Sequence, residues 1–499
     1  MRNVMKAATI EGKLPLLAVE GGCIISKDAD ITVVFRVELP ELFTVTHAEY
    51  EAIHAAWCKA VRVLPDYSVV LKQDWFIREQ YLPATGGEAS FLSRSYERHF
   101  NERPFLNHAC YLYLTKTTKE HTRMQSNFST LCRGHIIPKE INRDTARAFL
   151  EAVDQFERIM NDSGFVHLTR LTDNEITGTA GRPGLIEKYF ALSLDDTTSL
   201  QDMELRADGL RVGDKHVCLH TLSDTDDLPA RVGTDMRYEK LSTDRSDCLL
   251  SFAAPVGLLL SCDHIYNQWL FLDNSAENLQ RFEKQARNMH SLSRYSRSNQ
   301  INKEWLDQYL NEAHSFGLTS IRAHFNVVAW SDDPDELRRI RNDVGSQLAL
   351  MECRPRHNTV DAATLYWAAM PGNGGDFPAE ESFYTFIEPA LCFFTEETNY
   401  KASPSPFGLK LCDRISGRPL HLDLDDEPKR RGVIHNFNKF VLGGSGGGKS
   451  FFVNHMARNY YEQGTHIVLV DTGNSYEGLC ELIRKKTKGQ DGIYFTYTE

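Results

Sequence analysis

Between residues 443 and 450 the chain reads Gly-Gly-Ser-Gly-Gly-Gly-Lys-Ser. Few stretches of sequence restrict local structure so tightly. Glycine tolerates positive φ and has no side chain, so successive backbone N–H groups can converge on one anion. Gly443-x4-Gly448-Lys449-Ser450 fits the P-loop pattern at every position. The flanks agree with it. Phe440-Val-Leu442 reads as a short buried strand leading in, and Phe451 to Tyr461 reads as a helix leading out. The competing reading, a glycine-rich turn with no ligand, needs strand, glycines, Lys-Ser and helix to fall in this order by chance.

On the P-loop reading the ligand is ATP with Mg²⁺. Gly443, Gly444, Ser445, Gly446, Gly447, Gly448, Lys449, Ser450 and Phe451 wrap its phosphates. The helix after the loop adds the positive end of its dipole. Lys449 is the catalytic candidate, reaching the β- and γ-phosphates, and Ser450 is the Mg²⁺ ligand. Ile467-Val-Leu-Val-Asp471 is the next apolar run, read as a buried parallel strand. Asp471 has two readings. It is either the Walker B carboxylate near the metal, or part of a loop after the second strand of a RecA-like domain. The short spacing from Lys449 favours the loop. Ile493–Tyr497 reads as a third strand. From Asn436 only 64 residues remain, against the ~150 that a RecA-like domain needs. We therefore expect a C-terminally truncated piece of a larger ATPase. Its Walker B and arginine-finger residues should lie past Glu499, and its own turnover should be weak or absent.

The whole chain has 499 residues, enough for about three domains. Hydrophobic residues make up 41% and charged residues 25%, which excludes a mostly disordered chain, a collagen and a rod. A net charge of −12 argues against coating nucleic acid along its length, so DNA binding is possible but unsupported by charge. Eleven scattered cysteines form no CxxC pair and no zinc-ligand spacing, as in a reduced cytosolic protein. The N-terminus lacks a signal-peptide core. The longest apolar run, Phe252–Leu260, is far short of the ~20 residues of a spanning helix.

The fold class expected is α/β and α+β multidomain, with N-terminal α+β domains leading into the start of a RecA-like P-loop domain. Ile31, Val33, Phe35, Val37 and Leu39 alternate as in a strand. Thr46-His-Ala-Glu49 is a capping box for a helix through Tyr50, Ile53, Trp57 and Val61, and a strand resumes at Ser68. A second such unit starts at Ile321–Val327, with Asp333-Pro334 opening a helix and an apolar segment at Ala362–Met370. Ferredoxin-like topology is the guess for both. Asp144–Met160 and one or two long helices within Asn274–Ser315 complete the reading. Pro371–Pro378 is taken as a surface loop and Ser403–Gly408 as linker. The boundaries expected are 1–175, a docking domain; 176–400, a second α+β and helical domain; 401–435, a linker; and 436–499, the incomplete P-loop domain.

Phe440–Phe452 and Ile467–Glu477, with Ala7–Val19 and Asp30–Asp74 (including Gln73-Asp-Trp), resemble the conjugation ATPases of the type IV secretion family. Within it the chain is most similar to the TraG type of Bacteroides-like conjugative transposons. The resemblance implies an ATP-binding motor subunit that powers DNA or protein transfer or channel assembly. It implies hexamers of the whole protein and inner-membrane channel proteins as partners. It also implies a place in the bacterial cytoplasm, peripheral to the inner membrane through those partners. Only the P-loop residues carry over individually. Two other readings stay open: a RecA-like DNA translocase or helicase, and a scaffold whose N-terminal part binds channel proteins while the P-loop stub is inert.

Weaker signals have plainer explanations. Arg294-Tyr-Ser-Arg297 interleaves base and aromatic as single-strand binders do, but also suits a solvated helix. Lys429-Arg-Arg431 touches phosphates or balances Asp423, Asp425, Asp426 and Glu427. His435 is a surface residue by default. Trp57, Trp269, Trp305 and Trp330 read as core or interface aromatics.

Overall fold

The alternating run at Ile31 becomes a strand whose residues 32 to 35 are all buried, because helices or loops cover both faces of the sheet it joins. The computed structural model describes residues 10–82, 91–121, 143–206, 209–240, 248–292, 296–358, 360–405 and 407–496. Thirteen strands form one sheet: β1 Leu16–Glu20, β2 Cys23–Ser26, β3 Ile31–Glu38, β4 Ser68–Gln80, β5 Pro104–Lys116, β6 His167–Arg170, β7 Met203–Arg206, β8 Gly209–Val212, β9 Lys215–Leu222, β10 His264–Leu272, β11 Ser320–Ser331, β12 Arg356–Asn358 and β13 Phe383–Phe386. The main path runs β1-β2-β3-β5-β4-β10-β11-β9-β8-β7, with β6 on β3, β12 on β9 and β13 on β11. The principal helices are α1 His47–Arg62, α2 Phe91–Asn101, α3 Arg143–Asp162, α4 Ser275–Leu292, α5 Arg297–Phe316, α6 Pro334–Leu350, α7 Lys449–Glu462 and α8 Glu477–Lys486.

Two halves of this sheet repeat one topology. In the first, β3-α1-β4-β5-α3-β6 is arranged β6-β3-β5-β4. In the second, β9, β10, β11, α6 and β12 are arranged β12-β9-β11-β10. Both have the strand order of a ferredoxin-like fold. The halves join through β4 and β10, antiparallel from Ser68↔Leu272 to Phe76↔His264. The edge strand that each half would leave open is thereby paired.

Local signals hold where they are strong. Thr46 Oγ1 accepts from the Glu49 amide and the Glu49 carboxylate accepts from the Thr46 amide, starting α1. Asp333 caps α6, with Pro334 in its first turn. Trp57 of α1 packs edge-on against Phe156 of α3, over Phe35 and Val153 in the core of one face. On the other face Trp75, Trp269, Trp367 and Tyr366 pack with the short helix Leu185–Ala191.

Polar residues cross the sheet as chains. Trp75 donates to Gln73 (3.1 Å), Gln73 to Asn267 (2.8 Å), Asn267 to Asn326 (2.8 Å) and Asn326 to His324 Nε2 (2.9 Å). His324 Nδ1 then donates to the Glu381 carbonyl, and burial pushes the ring down to about 3. Each donor of this chain thus has an acceptor in its own strand, on the neighbouring strand or in the turn at Glu381. On the opposite face Lys72 donates to Asp74 (2.6 Å) and Thr395 (2.9 Å), and His108 donates to Asp74 (3.0 Å). Burial by itself would raise Asp74, but Lys72 and His108 outweigh it and hold the carboxyl well below its ordinary range. Beside this pair, Glu396 accepts from Trp57 Nε1 (3.1 Å), and Glu397 accepts from Ser251 and Tyr50.

Several expectations differ from the structure. The chain falls into two compact units, residues 1–79 with 106–399, and residues 80–105 with 400–499. A boundary at 175/176 does not separate them, because strands from both sides of it share one sheet. Ala362–Ala368 is a helix; the strand of that region is the shorter β12. Pro371–Pro378 is buried, not a surface loop. Gly374 and Gly375 allow the close approach: a Cβ on Gly375 would stand 2.2 Å from Asp30 Oδ2. Phe440–Leu442, Ile467–Asp471 and the described part of Ile493–Tyr497 form no strands. Phe440, Leu442, Val468, Val470, Ile493 and Phe495 are exposed instead. A parallel strand exists only with neighbours on its ladder, and these segments have none.

Candidate functional site

The second unit holds the glycine loop. Its frame is a hairpin, β14 Leu409–Cys412 and β15 Pro419–Leu422, with α2 and α7 against it. Tyr96 of α2 donates to the carbonyls of Leu411 (3.0 Å) and Leu420 (3.3 Å), and Lys410 pairs with Glu97 at 2.8 Å. From α7, His455 Nε2 donates to the Lys410 carbonyl (2.8 Å). Gln463 clamps both backbone groups of Gly408, at 2.8 and 2.7 Å. The helix that starts at the glycine loop is thus fixed along its length.

At its N-terminus the loop takes the form that the sequence requires. Gly446 and Gly448 have φ of 76° and 84°, values that side chains disfavour. The Gly447 amide turns back to the Gly444 carbonyl (3.2 Å), and Phe452 makes the first helical bond to Gly448 (2.9 Å). The amides of Lys449, Ser450 and Phe451 therefore open α7 without intrahelical acceptors. Lys449 Nζ lies over the loop, donating to the carbonyls of Gly443 (2.8 Å) and Gly444 (2.6 Å). All nine residues, Gly443 to Phe451, are brought together on one surface, and Ser450 is exposed beside Lys449. Free amides at a helix start, a lysine held over them and an adjacent hydroxyl suit a phosphate chain with its Mg²⁺.

Asp471 does something else. Its Oδ2 accepts from the Ser475 amide (2.5 Å) and closes the loop 471–475. Asn454, one turn into α7, donates to the Ser450 and Ser475 carbonyls, both at 3.0 Å. That loop is tied to the start of α7, as the reading of Asp471 as a loop residue expects. Asn454 was invisible as a functional residue in the sequence, since one helical asparagine carries no pattern. The same holds for Tyr460, whose hydroxyl donates to Asp425 (2.5 Å) and is pushed up by burial and that carboxylate. Burial alone would raise Asp423, yet the amides of Asp425, Asp426 and Glu427 and the Ser405 hydroxyl hold it low. A cavity of about 300 Å³ lies between residues 436–441 and Phe452 and Met456 of α7.

The weaker candidates resolve simply. Arg431 faces Glu427 (3.8 Å) and Lys429 covers the Phe437 ring (4.2 Å), as a basic turn among acids does. His435 is exposed. Trp57, Trp269 and Trp330 are core residues, whereas Trp305 is 59% exposed. Arg294 and Tyr295 lie outside the described residues. No group of His, Cys, Asp or Glu among the described residues is placed to hold a metal by itself.

The model of the TraG P-loop domain family matches residues 408–499. The match begins at the Gly408 that Gln463 clamps, so it takes in the hairpin as well as the glycine loop. Residues 3–55 match a second family, described as a domain of unknown function, B. theta gene description (DUF3875). The pair of matches agrees with the resemblance to Bacteroides-type TraG-like proteins. No curated protein matches the chain. The match to a TraG P-loop domain suggests a conjugation-related NTPase, and a P-loop domain implies nucleotide binding, generally with Mg²⁺. No helix among the described residues is long and apolar enough to cross a membrane.

Proposed function

We propose that this chain is the nucleotide-binding part of an ATP-driven conjugation motor, the subunit that energises a type IV secretion channel. The carrying observation is the glycine loop with Lys449 folded over its carbonyls at the start of α7, inside a TraG P-loop domain. In this reading the amides of Gly446 and of Gly448 to Phe451 hold the phosphates. Lys449 leaves its two carbonyls for the β- and γ-phosphates, and Ser450 gives its hydroxyl to Mg²⁺, which supplies charge neutralisation. Asn454 keeps loop 471–475 against the site. Hexamer formation, inner-membrane channel partners and a peripheral place at that membrane belong to the same proposal and rest on the TraG match.

Calorimetric titration of the chain with Mg-ATP tests it. Lys449→Ala removes charge-assisted hydrogen bonds worth ~1.5–3 kcal/mol, so affinity should fall by roughly tenfold or more. Equal affinity in the two proteins would remove Lys449 from the site.

A further inference from the structure

Helices α4 and α5 form an antiparallel hairpin inserted between β10 and β11. Ties to the sheet come from its base. Phe282 meets Tyr384 edge-on, Tyr309 stacks on Phe386 at 4.3 Å, and the Tyr309 hydroxyl donates to Ser320 and the Thr385 carbonyl. Arg297 begins α5, twelve residues before Tyr309, about 18 Å along the helix at ~1.5 Å per residue. The distal half differs in composition from the rest of the protein. From residue 284 to 303 there are five Lys or Arg and no Asp or Glu, in a chain of net charge −12. Lys284, Arg287 and Arg297 are exposed and have no carboxylate partner among the described residues. On α5, Arg297, Ile301 and Trp305 recur every four residues on one face, and Ile301 and Trp305 are 38% and 59% exposed.

We propose that the distal half of this hairpin binds an anionic phospholipid surface. Exposed cations along the two helices suit a flat sheet of phosphates. The ~8–10 Å Debye length at physiological salt is shorter than the ~18 Å from Tyr309 to Arg297, so the acidic charge of the sheet below is screened from Arg297. Trp305 has the amphipathic ring that settles at the headgroup level, and Ile301 beside it adds apolar area that only an acyl boundary rewards. A nucleic-acid strand would use the tryptophan for stacking but would gain nothing from the isoleucine.

The test is co-sedimentation of the full chain with vesicles of phosphatidylglycerol and phosphatidylcholine, against pure phosphatidylcholine, at low and high salt. The wild type should sediment with the anionic vesicles and be released by salt. Each cation near such a surface contributes ~1 kcal/mol, so K284Q/R287Q/R297Q together should lower partitioning roughly a hundredfold. Trp305→Ser should weaken it with the net charge kept. All four positions are solvent-facing, and unchanged circular-dichroism melting confirms that each variant is folded. Failure of the wild type to sediment, or equal sedimentation of the triple variant, overturns the proposal. So does a fluorescent single-stranded oligonucleotide whose binding, rather than vesicle binding, is what the triple variant loses.

Discussion

A single residue, Glu396, ties the stability of the large sheet to pH. It is buried, accepts from Trp57 and lies near Lys72. Burial pushes its carboxyl from an ordinary 4.5 up to about 8, against the partial relief given by Lys72 and Trp57. Between those two values the folded chain keeps a proton that the unfolded chain has released. Stability from this group is therefore complete below about pH 4.5 and declines as the pH rises toward 8. Glu396→Gln keeps the shape and an acceptor for Trp57 but cannot titrate. In urea titrations from pH 5.5 to 8 the wild type should lose stability more steeply than the variant, by up to ~1.4 kcal/mol per pH unit. Parallel curves would show that Glu396 titrates as an exposed acid does.

At the scale of elements, two glycines should respond to the same substitution with opposite signs. Gly375 lies in a buried loop, where a Cβ would meet Asp30 Oδ2 at 2.2 Å and His121 Nδ1 at 3.0 Å. Asp30 cannot retreat freely, since it is itself buried and 2.9 Å from His121. Gly375→Ala should destabilise by ~1–3 kcal/mol, the usual range for overpacking. Gly345 sits within α6 with open space around its Cβ position. Gly345→Ala should stabilise by ~0.5–1 kcal/mol through helix propensity. Thermal melts of the two variants distinguish a glycine needed for packing from one that is not.

For the whole molecule, the two compact units should unfold separately. The first buries two large apolar cores, one on each face of its sheet. The second buries Leu409, Leu420, Ala457 and Phe100 but leaves Phe440, Leu442, Val468 and Val470 exposed. Fewer buried contacts mean a lower opening free energy, so its transition should come first in denaturant. Mg-ATP should raise that transition alone, by ~2.7 kcal/mol when ligand is at a hundred times its Kd. With Lys449→Ala the shift at the same ligand concentration should fall to ~1.4 kcal/mol or less, since its affinity is roughly tenfold lower. One transition raised as a whole by nucleotide would instead show that the units unfold together.

Short-range chemistry was readable directly. The P-loop pattern, the Thr46 capping box, the Asp333-Pro334 helix start and the helices Arg143–Asp162 and Arg297–Phe316 depend on neighbours within a few residues, and all stand in the structure as local geometry. The ferredoxin-like order agrees with a guess made from strand–helix spacing, but in the second half it is built from β9, β10 and β12, which that spacing did not point to. What the sequence left open depends on partners far along the chain. That the halves share one sheet rests on β4 meeting β10, nearly two hundred residues away. The buried place of Pro371–Pro378 rests on Asp30 and His121, and glycine richness alone reads equally well as an exposed loop. Apolar runs such as Ile467–Val470 show the converse. Hydrophobicity makes a segment able to be a strand, but the hydrogen-bonding neighbour that makes it one belongs to the tertiary structure.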